Sequence, residues 1–267
     1  MKFVRFMTED GKVGAGEWLD GDIYALNGSP EAIFAGDIQP ERGEVIPNAT
    51  LLPPTMPGKL LCVGKNYAAH AAEMNSVPPE NPLIFAKFPT CVIGDGEPIQ
   101  WSEDITQQVD WEGELVIVIG KTASKIDEAD ASEHIFGYTV ANDVSARDLQ
   151  SSESQWARAK GMDTFCPLGP WIVTHDNIAA PNNLNIKTVV NGETMQDGNT
   201  EDLIFKIPFL VAYLSQTFTL NPGDIILTGT PPGVGKGRKP PVFLKDGDVV
   251  SVTIEQIGTI ENTCQVI

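Results

Sequence analysis

The chain has 267 residues, 42% of them hydrophobic and 20% charged, with 18 Lys and Arg against 36 Asp and Glu for a net charge of −18. That length and apolar content can bury a substantial core, which excludes global disorder. A strongly acidic chain without a basic patch also excludes nucleic acid and anionic membrane surfaces as partners, because phosphate contacts are made by clustered Lys and Arg.

Glycine (25) and proline (20) are frequent, so many turns and short strands are expected rather than a helical bundle. Met1 to Asp10 turns acidic without a long apolar stretch, and no secretory signal is expected there. Residues 1–56 read as short strands broken at Asp20-Gly21-Asp22 and Asn27-Gly28. The cluster Pro53-Pro54-Thr55-Met56-Pro57-Gly58 predicts a boundary between a small N-terminal β domain (1–56) and a main catalytic domain (57–267). Beyond it, strands are predicted over 59–63, 112–120, 135–141, 171–174, 186–191, 224–228 and 249–256. Helices are predicted after an N-cap at Asn66, over 144–154 and over 204–215. Strands outnumber helices and do not alternate with them, so the predicted class is α+β with a β-rich core. Clean apolar runs such as Leu115 to Ile119 are far shorter than the roughly 20 residues of a spanning helix. Cys62, Cys91, Cys166 and Cys264 are widely spaced, which predicts buried free thiols. A soluble, cytoplasmic protein is expected.

Five stretches could carry chemistry. In Val109-Asp110-Trp111-Glu112-Gly113-Glu114-Leu115, strand alternation puts Glu112 and Glu114 on one face and Trp111, Leu115 and Ile117 on the other. Two adjacent carboxylates repel, and either solvent at an exposed strand end or a hard divalent cation such as Mg²⁺ relieves them. In Asn142-Asp143-Val144-Ser145-Ala146-Arg147-Asp148-Leu149-Gln150, a helix would align Asp143, Arg147 and Gln150 at i, i+4 and i+7. That face is either a capped helix with an ion pair, or a third carboxylate with a guanidinium able to clamp a substrate carboxylate.

His70 and Glu73 stand at i, i+3 on a short alanine-rich helix, as a surface pair or as an oriented general base. None of the three histidines falls in zinc-protease spacing. Lys160, in a stretch rich in Gly and Pro, is either a surface lysine or a stabiliser of a developing enolate. The loop Thr228-Gly229-Thr230-Pro231-Pro232-Gly233-Val234-Gly235-Lys236 fits no phosphate-loop pattern, and its prolines lack N–H donors. It reads as a rigid substrate-contacting turn in which Thr230 makes the contact.

Taken in chain order, these blocks, from about Leu60 to Gly258, resemble the fumarylacetoacetate hydrolase family, nearest its short members that act on acylpyruvates and oxaloacetate. The resemblance implies a mixed-strand β-roll with flanking helices, assembled as a homodimer. It implies Mg²⁺ or Mn²⁺ on Glu112, Glu114 and Asp143, and a lid carrying the His70–Glu73 dyad. It further implies substrate contacts by Lys87, Arg147, Gln150, Lys160 and Thr230, although Lys87-Phe88-Pro89 departs from the Lys-Pro often found in short members. A fumarylacetoacetate hydrolase proper has a larger N-terminal domain than is present here.

The activity expected is metal-dependent hydrolysis of a C–C bond in an acylpyruvate-like 1,3-diketone, releasing pyruvate. In that reaction His70, oriented by Glu73, activates water, and Lys160 and Gln150 stabilise developing charge. The alternatives are decarboxylation of oxaloacetate or isomerisation of an unsaturated 2-oxo diacid. Outside enzymes, the alternative is a metal-dependent 2-oxo acid binding protein, which would have no use for a general base.

Overall fold

A computed structural model describes residues 1–267. The molecule is mostly β, a mixed-strand roll built on two sheets with short flanking helices. The larger sheet runs in the order Arg42–Val45, Asp22–Leu26, Val13–Leu19, Lys2–Met7, Cys166–Thr174, Ile135–Asn142, Gly113–Ile119, Ile225–Leu227, Leu60–Gly64 and Leu83–Lys87. The smaller one runs Glu193–Asn199, Asn185–Val190, Val249–Ile254, Gly258–Val266 and Ile99–Trp101. Most neighbours are antiparallel, but Ile225–Leu227 lies parallel to Leu60–Gly64 and Gly258–Val266 parallel to Ile99–Trp101.

Gly113–Ile119 is the strand on which the site is built, and it is buried on both faces. Leu115, Ile117 and Ile119 pack between the sheets with Val252, Ile254 and the helix Ile207–Ser215. Val116 and Val118 pack the opposite way, with Leu60, Cys62 and the N-terminal Phe3 and Phe34. A strand buried on both faces reads as a continuous apolar run, which Leu115 to Ile119 is. The polar exceptions at its head therefore need a reason.

The first 56 residues continue the larger sheet: Lys2 and Phe3 pair with Val173 and Ile172. All four cysteines are buried and free. No helix is long and apolar enough to cross a membrane.

Three local expectations are corrected. The helix predicted over 144–154 begins at Arg147, because Ser145–Ala146 pairs as a strand with Val109–Asp110. Asp143 thus precedes the helix and does not share its face. Asn66 does not cap the helix Ala68–Glu73; that position is held by Tyr67, with no side-chain bond. The Asn66 amide is drawn instead to Thr228 O at 2.7 Å, while its oxygen accepts the Phe205 N–H at 2.7 Å. Strands at Leu83–Lys87, Glu193–Asn199 and Gly258–Val266 lie outside the predicted ones; polar residues interrupt the last two, whereas Leu83–Lys87 is a short apolar run that follows a proline-rich stretch.

Candidate active site

Strand register brings the three acids together. Gly113 pairs with Asn142 and Glu114 with Ala141, so the end of Ile135–Asn142 lies beside the head of Gly113–Ile119. Asn142 Oδ1 accepts the Glu112 N–H at 2.9 Å, and the Asp143 N–H donates to Glu112 O at 2.8 Å. Glu112, Glu114 and Asp143 each point one carboxylate oxygen into a common space, the three atoms lying within 4.8 Å of one another, and all three residues are buried.

Two cations on the cavity side neutralise Glu112 and Asp143 among these acids. Lys160 Nζ donates to Glu112 Oε2 and to Asp143 Oδ2, both at 2.7 Å. Arg147 Nη2 lies 2.7 Å from Glu112 Oε1, while its Nη1 donates to Gln150 Oε1 at 3.0 Å. Burial opposes ionisation of Glu112, but Lys160 and Arg147 outweigh it and hold the carboxyl well below the ordinary carboxylate range. Glu114 is different. Its one bond is from the Gly229 N–H at 2.7 Å, and burial, then Asp143 and Glu112, push its carboxyl well above the ordinary range. A buried carboxylate crowded by two others and lacking a cation is relieved by an ion bound among the three. An all-oxygen carboxylate set suits Mg²⁺ or Mn²⁺, so the residues fit such an ion.

Gly229 must be glycine. Its φ is +105°, and a Cβ there would lie 2.8 Å from Asn66 Cβ and 3.1 Å from Val63 O. The Asn66 bond to Thr228 holds the same turn from the other side.

Asp110 is a fourth acid that the motif reading passed over. Its fully buried carboxylate accepts from Arg147 Nε (2.8 Å) and from the N–H groups of Trp111 (2.9 Å), Gly235 (2.7 Å) and Lys236 (3.0 Å). One side chain therefore fixes both the guanidinium and the loop that closes the cavity. The strand alternation that singled out Glu112 and Glu114 extends back to position 110 and was the available signal.

A mostly polar cavity of about 210 Å³ opens onto Glu112 and Glu114 of the triad. His70, Glu112, Glu114, Gln150, Lys160 and Thr230 line it, as does Arg147. His70 Nδ1 lies 3.4 Å from Glu73 Oε2, a long contact. The Glu73 carboxylate accepts the Gly233 N–H at 3.0 and 3.1 Å, tying the His70 helix to the Gly233–Lys236 loop. Gly237 packs so closely on Glu73 that a Cβ would fall 2.4 Å from its carboxylate carbon and its Cγ. Thr230 Oγ1 donates to Gly113 O at 2.9 Å and accepts from Gln196 Nε2 at 2.7 Å, so much of its bonding capacity is used within the protein. Gln196, also unforeseen, accepts the Gly113 N–H at 2.9 Å and locks the Thr230 loop to the carboxylate strand.

Lys87 is placed differently from a substrate contact. It does not line the cavity; its fully buried Nζ donates to Asp143 Oδ1 (2.6 Å), Phe165 O (2.7 Å) and Val144 O (3.3 Å) from behind. In this position it orients Asp143.

The fold and this site together define an enzyme whose chemistry is built on converging carboxylates. Residues 59–265 match the fumarylacetoacetate (FAA) hydrolase C-terminal family, and the chain belongs to that family. It is 52% identical over 218 residues to a mitochondrial oxaloacetate tautomerase of Xenopus laevis, an alignment covering 80% of this chain and 68% of the relative. It is 49% identical over 205 residues to the oxaloacetate tautomerase YisK of Bacillus subtilis strain 168, covering 76% of this chain and 68% of the relative. The crystal structure of a 5-carboxymethyl-2-hydroxymuconate delta-isomerase from Mycobacterium smegmatis is similar over 100% of both chains, with a TM-score of 0.87 and 42% identity.

Proposed function

We propose that the chain interconverts the enol and keto forms of a small 2-oxo diacid of the oxaloacetate type, with the help of a divalent cation held by Glu112, Glu114 and Asp143. The observation that carries this reading is the convergence of Glu112, Glu114, Arg147, Lys160 and His70 on one small polar cavity, with Asp143 grouped behind with the two glutamates and Glu73 beside His70. Two relatives at about half identity bear the name oxaloacetate tautomerase, and a full-length structural relative bears the name of an isomerase. They favour this branch over the hydrolytic C–C cleavage expected from the motifs.

When bound, the cation would supply Lewis acidity toward the substrate carboxylate and 2-oxo oxygen. The rest is done by the chain's own groups. Tautomerisation moves one proton between the enol oxygen and C3, with no net gain or loss and no attacking water. His70, oriented by Glu73, exchanges the proton at C3. Lys160 offsets negative charge on the 2-oxo oxygen as the enolate forms, and the Gln150 amide, whose oxygen is already taken by Arg147, has its N–H donors free for the substrate.

The test follows freshly dissolved oxaloacetate by the ultraviolet absorbance of its enol, with and without Mg²⁺. Pyruvate release from an acylpyruvate and CO₂ release from oxaloacetate are measured in parallel. Metal-dependent acceleration of the enol–keto change ahead of both other reactions is expected. Pyruvate release from the acylpyruvate without any such acceleration would return the protein to the hydrolase reading.

A further inference from the structure

Four fixed-cation side chains reach the cavity: Lys65, Arg147, Lys160 and Lys236. Two of them are committed, Arg147 to Asp110 and Glu112, and Lys160 to Glu112 and Asp143. Lys65 and Lys236 form no ion pair, and each meets only a serine hydroxyl. Lys65 Nζ donates to Ser76 Oγ at 2.8 Å, so it is engaged with the segment that follows the His70 helix. Lys236 Nζ donates to Ser151 Oγ, and Ser151 Oγ donates to Arg147 O at 2.7 Å.

Lys236 is thus linked through one hydroxyl to the backbone carbonyl of Arg147, the residue whose guanidinium touches the triad. Its root is fixed, since its N–H and that of Gly235 both bond to Asp110, the carboxylate that also holds Arg147. Burial and the neighbouring Arg147 work against its charge and are only partly offset by Asp110 and Asp148, neither of which forms an ion pair with its ammonium. A cation held beside a second cation, facing a cavity and lacking a carboxylate of its own, is suited to meet an anionic group of a ligand.

We propose that Lys236, positioned by the Ser151 hydroxyl, forms a subsite for the second carboxylate of the substrate and makes the enzyme select 2-oxo diacids over monoacids of equal length. This rests on the proposed reading that the 2-oxo acid end lies at the Glu112–Glu114–Asp143 side. Arg147, Ser151 and Lys236 line the same cavity as Glu112 and Glu114, and the Arg147 guanidinium touches Glu112.

The test compares oxaloacetate with 2-oxobutanoate, which has a methyl group in place of the distal carboxylate. Affinity for each is measured by calorimetry in the presence of Mg²⁺, and proton–deuterium exchange at C3 is followed by NMR. The wild-type protein should bind the diacid more tightly. Lys236→Met should reduce the diacid-to-monoacid affinity ratio by about 10- to 100-fold, the range for one hydrogen bond to a charged group. Lys236→Arg should largely keep the ratio, and Ser151→Ala should lower it by a smaller factor. Circular dichroism and thermal unfolding confirm that each variant is folded. An unchanged ratio in Lys236→Met, equal weakening of both ligands, or loss of the ratio in Lys65→Met instead would overturn the assignment. Failure of the tautomerase reading looks different: the wild type would discriminate between the ligands in binding but accelerate no exchange at C3.

Discussion

Asp110→Asn tests the claim that one buried carboxylate holds both Arg147 and the cavity-closing loop. The substitution is nearly isosteric, so it leaves no cavity. Oδ1 takes the Gly235 and Trp111 N–H groups, and Oδ2 takes Arg147 Nε and the Lys236 N–H. An asparagine keeps one acceptor and puts an NH₂ where the other stood, so donors face donors at Arg147 and Lys236. Arg147, with a side chain only 1% exposed, keeps Glu112 but loses the partner at Nε. Removing one member of a buried ion pair costs about 3–5 kcal/mol. For a chain of this size that corresponds to a fall in Tm of about 6–20 °C, at roughly 2–4 °C per kcal/mol. Differential scanning calorimetry reads the shift, with Glu153→Gln as the control. That change removes the exposed pair with Arg158 and should cost no more than about 1 kcal/mol. A Tm for Asp110→Asn as close to wild type as that of Glu153→Gln would refute the anchoring role.

Glu114→Gln removes the carboxylate that lacks a cationic partner, so Mg²⁺ binding by calorimetry should weaken sharply while Tm without metal is kept or rises. Retention of wild-type Mg²⁺ affinity would remove Glu114 from the ligand set. His70→Ala should slow enol–keto interconversion by roughly 10²- to 10⁴-fold, the contribution of a positioned general base. Glu73→Gln should slow it less, because the imidazole remains. Equal losses in the two variants would make the dyad a structural tie to Gly233 rather than a proton-transfer pair. We further propose a two-fold homodimer, for which light scattering should give about twice 28.8 kDa. The exposed Phe88 and Ile105, beside Leu149 and Met162, offer an apolar face for it, and a monomer at micromolar concentration would exclude it.

The parts of this site legible in sequence are those fixed by local periodicity. Alternation along one strand put Glu112 and Glu114 on a common face, and the apolar run after them marked the strand as interior. A carboxylate at the head of such a strand needs a cation, but spacing does not say which. The structure supplies Lys160 and Arg147 to Glu112, and none to Glu114. What was hidden depends on pairings between distant segments. Lys87 looked like any cation near a motif, yet the antiparallel strand Leu83–Lys87 ends with its ammonium behind Asp143, 56 residues away in sequence. Asp110 looked like a flanking acid, yet it collects donors from positions 111, 147, 235 and 236. Both follow one rule, that a buried charge must find its partners wherever the fold brings them. Lys65 and Lys236 face the same cavity and form no such pair, and Lys236, whose backbone is rooted at Asp110 beside Arg147, is the one we assign to a ligand.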